Sequence, residues 1–145
     1  ETGSAVTYPS PYRIVSITDQ EMEISSKFIE DIPHVLNGIS FTEHAKEVLR
    51  NGVASYVESA FPASVPDSWK QTAARRAGEA LIANCRGDEK LAGNDRKEIE
   101  EIADALRKYS ARCATIFRIA TTVMRNDVFP TDNEFTLRFR LRIAE

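Results

Sequence analysis

Apolar positions along the chain recur with two periods, one helical and one alternating. Met22, Ile24, Phe28, Ile29 and Ile32 give a helical stripe. It predicts a first helix capped at Thr18 or Asp19, favoured by Asp19, Glu21 and Glu23 near its positive end, and interrupted by Pro33. Asn37-Gly38 is a turn signal. Ala45, Val48, Leu49, Val53, Tyr56 and Val57 predict a second helix from a cap at Thr42 to Phe61-Pro62. After a Pro-punctuated loop, Asp67 or Ser68 caps a third helix through about Cys85, with Trp69, Ala73, Ala77, Ala80, Leu81 and Ile82 for packing. The longest predicted helix runs from Asp95 to Arg125, capped by Asn94 or Asp95. Its core stripe is Ile99, Ile102, Leu106, Tyr109, Cys113, Phe117, Ala120 and Met124.

The ends have the other period. Tyr8-Pro9-Ser10-Pro11 is an extended entry, because each Pro biases its predecessor away from the α region. Tyr12 to Ile17 is short and β-prone. Phe135 to Ile143 alternates strictly, with Phe135, Leu137, Phe139, Leu141 and Ile143 on one face. That predicts a half-buried strand paired with Tyr12–Ile17. The expected fold is mainly α: a four-helix bundle with a small two-stranded sheet formed by the N- and C-terminal segments. Residues 1–11 form an extended arm, and residues 12–145 one helical domain. Glu1-Thr2-Gly3-Ser4 has the look of a processed end or vector remnant.

Composition agrees with that organisation. At 145 residues and 16.2 kDa, 42% hydrophobic and with a net charge of −3, the chain suits one domain and is not disordered as a whole. No apolar run approaches the roughly 20 residues a bilayer span needs, so no membrane partner is expected. Two cysteines, Cys85 and Cys113, do not make a disulfide scaffold, although one bridge is open to them. Charge is uneven: residues 1–60 carry 9 acids and 4 bases, residues 105–145 carry 8 bases and 4 acids. An acidic front and a basic back suit a local polyanion site or head-to-tail stacking of copies.

Catalytic signatures are missing. There is no Gly-rich phosphate loop, metalloprotease His pair or Cys-x-x-Cys. The Asp88–Ile99 segment has the central Gly of a calcium loop, but Lys90 and Ala92 occupy ligand positions and Ile99 replaces the closing carboxylate. The chain is therefore expected not to be an enzyme and to need no cofactor or metal.

The predicted fourth helix carries the informative pattern. From Ala105 to Arg125 it has five bases and no acid. Arg107, Arg118 and Arg125 return to nearly one azimuth of a continuous helix, with Ala111, Ala114, Thr121 and Thr122 between them. Guanidinium groups separated by small side chains fit a nucleotide strand lying along the helix.

Ser4-Ala5-Val6-Thr7-Tyr8-Pro9-Ser10-Pro11-Tyr12-Arg13-Ile14-Val15-Ser16 resembles the opening of coat proteins of rod-shaped, tobacco-mosaic-type plant viruses. Phe28-Ile29, Leu36-Asn37-Gly38-Ile39-Ser40-Phe41, Ala45 and Val48-Leu49 are similar to that family's first helix pair. The resemblance implies four helices and a small sheet, and a subunit that assembles helically around single-stranded RNA in a virion or the host cytoplasm. It implies an RNA groove between the third and fourth helices, with Arg86 and Lys90 standing for the basic loop and Arg96-Lys97 for the basic pair that follows. The family's two acids followed by Ala are matched only by Glu100-Glu101 before Ile102, or by Asp104-Ala105, and its Thr-Arg-Asn-Arg run is absent.

The RNA-binding set expected from both arguments is Arg107, Arg118, Arg125, Arg86, Lys90, Arg96 and Lys97. The alternative is a helical oligomerising interaction module without nucleic acid. Carboxylates meeting between copies, with Glu30, Asp31, Asp88, Glu89, Glu100 and Glu101 as candidates, would make assembly strengthen as pH falls.

Overall fold

A computed structural model describes residues 8–30, 32, 38–87, 90–126 and 133–139. In chain order the elements are β1 (Pro11–Ile17), β2 (Glu21–Phe28), α1 (Phe41–Ala60), α2 (Asp67–Arg86), α3 (Gly93–Arg107), α4 (Ala111–Met124) and β3 (Glu134–Arg138). The protein is mainly helical, with four helices among the described residues and a small antiparallel sheet of order β1-β2-β3. The four helices are not the four predicted ones.

The first predicted helix is strand β2. Met22, Ile24, Ser26 and Phe28 also alternate with Glu21, Glu23, Ser25 and Lys27, and β1 supplies an antiparallel partner in register from Pro11↔Phe28 to Ile17↔Met22. Thr18 does accept backbone N–H groups, as a helix cap would. Here its hydroxyl takes those of Gln20 (3.3 Å) and Glu21 (3.1 Å), while its own N–H donates to the Glu21 carbonyl (2.9 Å). The same side-chain chemistry closes a hairpin instead of starting a helix.

The C-terminal strand therefore pairs with β2, from Glu21↔Arg138 to Ser25↔Glu134, and not with β1. The sheet has three strands where two were expected. Residues 140–143, part of the predicted strand, lie outside the described residues. Nor is β3 half-buried: all five of its residues are exposed.

The long fourth helix is two helices. α3 ends at Arg107, and Ser110 starts α4 by accepting the Cys113 N–H at 3.3 Å. The N–H groups of Tyr109 and Ser110 both bond to the Leu106 carbonyl. The helices fold back into an antiparallel hairpin, so residues 95–107 face residues 111–125.

α1 and α2 match their predicted ranges closely, with shifted caps. Ser40 caps α1 by accepting the Glu43 N–H (3.3 Å), and Thr42 instead donates its hydroxyl to the Glu30 carbonyl, tying the hairpin to the helix. Pro66 precedes α2 and Ala92 precedes α3, neither with a side-chain cap, in place of Asp67 or Ser68 and Asn94 or Asp95. Tyr8 and Ser10 are buried beside this junction, with the Lys46 ammonium 5.6 Å from the Tyr8 ring centroid.

The core is small and lies among α2, α3 and α4: Val65, Ala73, Ile99, Ile102, Ala103, Leu106, Ala114 and Phe117, flanked by Phe61, Trp69 and Leu91. Ala114 and Thr121, expected on the open arginine face, are buried, whereas Tyr109 of the expected core stripe is exposed. α1 packs on α2 alone among the described helices and has no fully buried residue. The buried core is shared by α2, α3 and α4, and α1 adds no buried residue to it. The hairpin and β3 pair with one another, while α2 touches each of the other three helices.

Candidate functional site

The break at residues 108–110 removes the continuous face on which Arg107, Arg118 and Arg125 were to align. Arg107 sits at the turn of the α3–α4 hairpin and pairs with Asp104 at 2.7 Å. Arg118 lies halfway along α4, 3.9 Å from Glu100. Arg125 is at the other end, bonded to Asp95. With a rise of 1.5 Å per residue, the Asp95 and Arg107 ends of α3 are about 18 Å apart. Each arginine faces an acid of α3. Of the six acids expected to meet between copies, Glu100 lies 3.9 Å from Arg118 and Glu101 3.8 Å from Lys97. Glu30 is exposed, and Asp31, Asp88 and Glu89 lie outside the described residues.

Arg125 belongs to a charge cluster that ties three helices together. Asp95 accepts from Arg76 of α2 at 2.6 Å and from Arg125 through its other oxygen. Glu98 adds a carboxylate 3.5 Å from Arg76 Nε, near enough for ion pairing. Nε of Arg76 and of Arg125 are buried without a hydrogen-bond partner. The Arg76 hydrogen bond, against partial desolvation and with help from Arg125, holds the Asp95 carboxyl below its ordinary value. Sequence reasoning missed Arg76, which stands 19 residues from Asp95 beside Arg75 in an alanine-rich run and gave no local signal.

The other four predicted RNA contacts, Arg86, Lys90, Arg96 and Lys97, gather at the connection from α2 to α3. All four are exposed. Among the described residues no carboxylate is paired with Arg86, Lys90 or Arg96.

Two apolar surfaces were not anticipated. A groove of about 500 Å³ lies between α1, α2 and α4, with Tyr56, Val57, Leu81, Ile116, Phe117 and Met124 in its walls. Its rim is open: Tyr56 is 75% and Ile116 56% exposed. The second surface is one face of the sheet, where register places Val15, Ile17, Met22, Ile24, Phe135 and Leu137 together. Ile17 is 70% exposed there, and Val15, Phe135 and Leu137 are about half exposed. Apolar side chains in such numbers are usually covered.

Among the described residues no group of three or more His, Cys, Asp and Glu is placed to hold a metal, and no helix is long and apolar enough to cross a membrane. Cys85 and Cys113 are not joined in a disulfide. Compared with known protein families, characterised proteins and solved structures, the chain matches none of them.

Proposed function

We propose that this chain is a self-assembling structural subunit of the coat-protein kind, associating head to tail and enclosing single-stranded RNA. The observation that carries the assembly is the pair of uncovered apolar surfaces, the sheet face and the α1–α2–α4 groove. They lie on different elements, so the sheet of one copy seated in the groove of the next makes a heterologous contact, which closes into rings or runs on as a filament. Covering both removes apolar area from water at roughly 25 cal/mol per Å².

Support for the RNA part comes from the exposed bases Arg86, Lys90, Arg96 and Lys97. Counterion release on phosphate contact supplies the driving force and makes binding fall with salt. Sedimentation and electron microscopy of the full chain, with and without single-stranded RNA, test the reading. Rods, discs or a concentration-dependent series are expected, longer or more ordered with RNA. A monomer at every concentration and pH overturns it.

A second reading, an oligomerising interaction module without nucleic acid, is favoured by the pairing of Arg107, Arg118 and Arg125 with Asp104, Glu100 and Asp95. Assembly that is indifferent to RNA at low salt selects this reading.

A further inference from the structure

A polar cleft of about 260 Å³ lies where the hairpin meets the C-terminal end of α2. Its lining includes Arg13, Ser26, Phe28, Asn84, Arg86 and Asn133, with no acid among the described residues that line it. Arg13 and Ser26 are direct cross-strand partners and so face the same side of the sheet. Arg86 enters from the helix, with its guanidinium carbon 5.9 Å from the centroid of the Phe28 ring. Neither Arg13 nor Arg86 is paired with a carboxylate among the described residues. Two cations lining one small cleft repel each other, and an anion between them removes that cost.

A helix C-terminus ordinarily repels anions through its unpaired carbonyls. At this one, two of the terminal carbonyls are already satisfied. Asn84 O accepts the Gly87 N–H at 3.2 Å, and Arg86 O accepts the Asn133 side-chain amide at 3.0 Å. Gly87 turns the chain away with φ +79°, a conformation that suits glycine. The cleft is smaller than the roughly 300–1,000 Å³ of drug-sized ligand sites, so it suits one phosphate with its sugar. Phe28 and the guanidinium stacked near it offer the flat surface on which an unstacked base rests.

We propose that this cleft binds a phosphate group of single-stranded nucleic acid, with Arg13 and Arg86 gripping the phosphate and Phe28 supporting the adjoining base. The carrier of the phosphate rests on the RNA reading above, while the grip itself rests on the cleft. The site lies at the sheet–α2 junction and uses none of the arginines of α3 and α4.

The test is fluorescence anisotropy of a labelled oligouridylate with the full chain at low salt. The variants are Arg13→Gln, Arg86→Gln and, as a control on the exposed surface of α4, Arg112→Gln. Each cleft variant is expected to weaken binding about tenfold, as loss of a charge-assisted hydrogen bond does, and the control by less than about twofold. Thermal melting of the same variants should be unchanged, because both cleft arginines are exposed. In parallel, inorganic phosphate is titrated while the amide resonances of Ser26 and Gly87 are followed. Shifts lost in both cleft variants support the grip, and if the oligonucleotide does not bind they assign it to free phosphate. If the parent binds the oligonucleotide and both cleft variants bind it equally well, the cleft proposal is overturned and the RNA reading stands. If neither probe binds the parent, both fall.

Discussion

Arg125, at the C-terminal end of α4, reaches back across the hairpin to the carboxylate of Asp95 in the first turn of α3. This contact closes the end of the α3–α4 hairpin opposite its turn, and Arg76 extends it to α2. It also gives Arg125 a structural partner where the sequence suggested a ligand.

Removing that carboxylate should be costly. Asp95→Asn leaves Arg76, only about a tenth exposed, short of its nearest counter-charge, and should destabilise the fold by about 3 kcal/mol. The effect should depend on pH. Asp95 binds its proton more weakly in the folded chain than in the unfolded one. Its stabilisation is therefore whole above about pH 4, the ordinary carboxylate value, and is lost as pH falls through the lower folded-state value. Urea unfolding of parent and variant between pH 7 and pH 2.5 should show a gap that is constant at first and then shrinks.

Ser110 makes the break between α3 and α4. Ser110→Ala removes the oxygen that accepts the Cys113 N–H and should cost about 1 kcal/mol, read as a lower urea midpoint with an unchanged slope. A variant as stable as the parent would mean that the turn is held by other contacts.

The two sides of the α3–α4 hairpin should respond differently to truncation. Leu106 is fully buried in the core, and Leu106→Ala should cost about 3 kcal/mol. Ile119 is more than half exposed, and Ile119→Ala should cost under about 0.5 kcal/mol in the monomer. Equal losses would show that the outer side of α4 is covered within the subunit.

What the sequence made legible follows from how local each signal is. α1 and α2 were readable because their apolar spacing holds for twenty residues each, with Pro62 and Pro66 marking the loop between them. β2 was misread because Met22, Ile24 and Phe28 satisfy both periods, and Thr18 serves a turn as well as a cap. Pairing with β1 decided it, and pairing is not local. The break at residues 108–110 left no Gly or Pro, and Leu106, Cys113 and Phe117 keep helical spacing across it. The arginine face depended on that continuity and was lost with it. The Arg76–Asp95–Arg125 cluster and the Arg13–Arg86 cleft join residues far apart in the chain, so only the fold brings them together. Arg86, Lys90, Arg96 and Lys97 were singled out through the resemblance, and they stay near one another because they lie within twelve residues of chain.

The central claim is that two different apolar surfaces join copies head to tail, and mixing two blocked variants tests it most directly. Ile17→Lys disables the sheet face and Ile116→Asp disables the groove, both at exposed positions. Analytical ultracentrifugation should find each variant monomeric alone. An equimolar mixture should form a one-to-one dimer and nothing larger, because each partner retains the surface the other lacks. Continued polymerisation of either variant alone, or a mixture that stays monomeric while the unmodified chain assembles, would contradict the account.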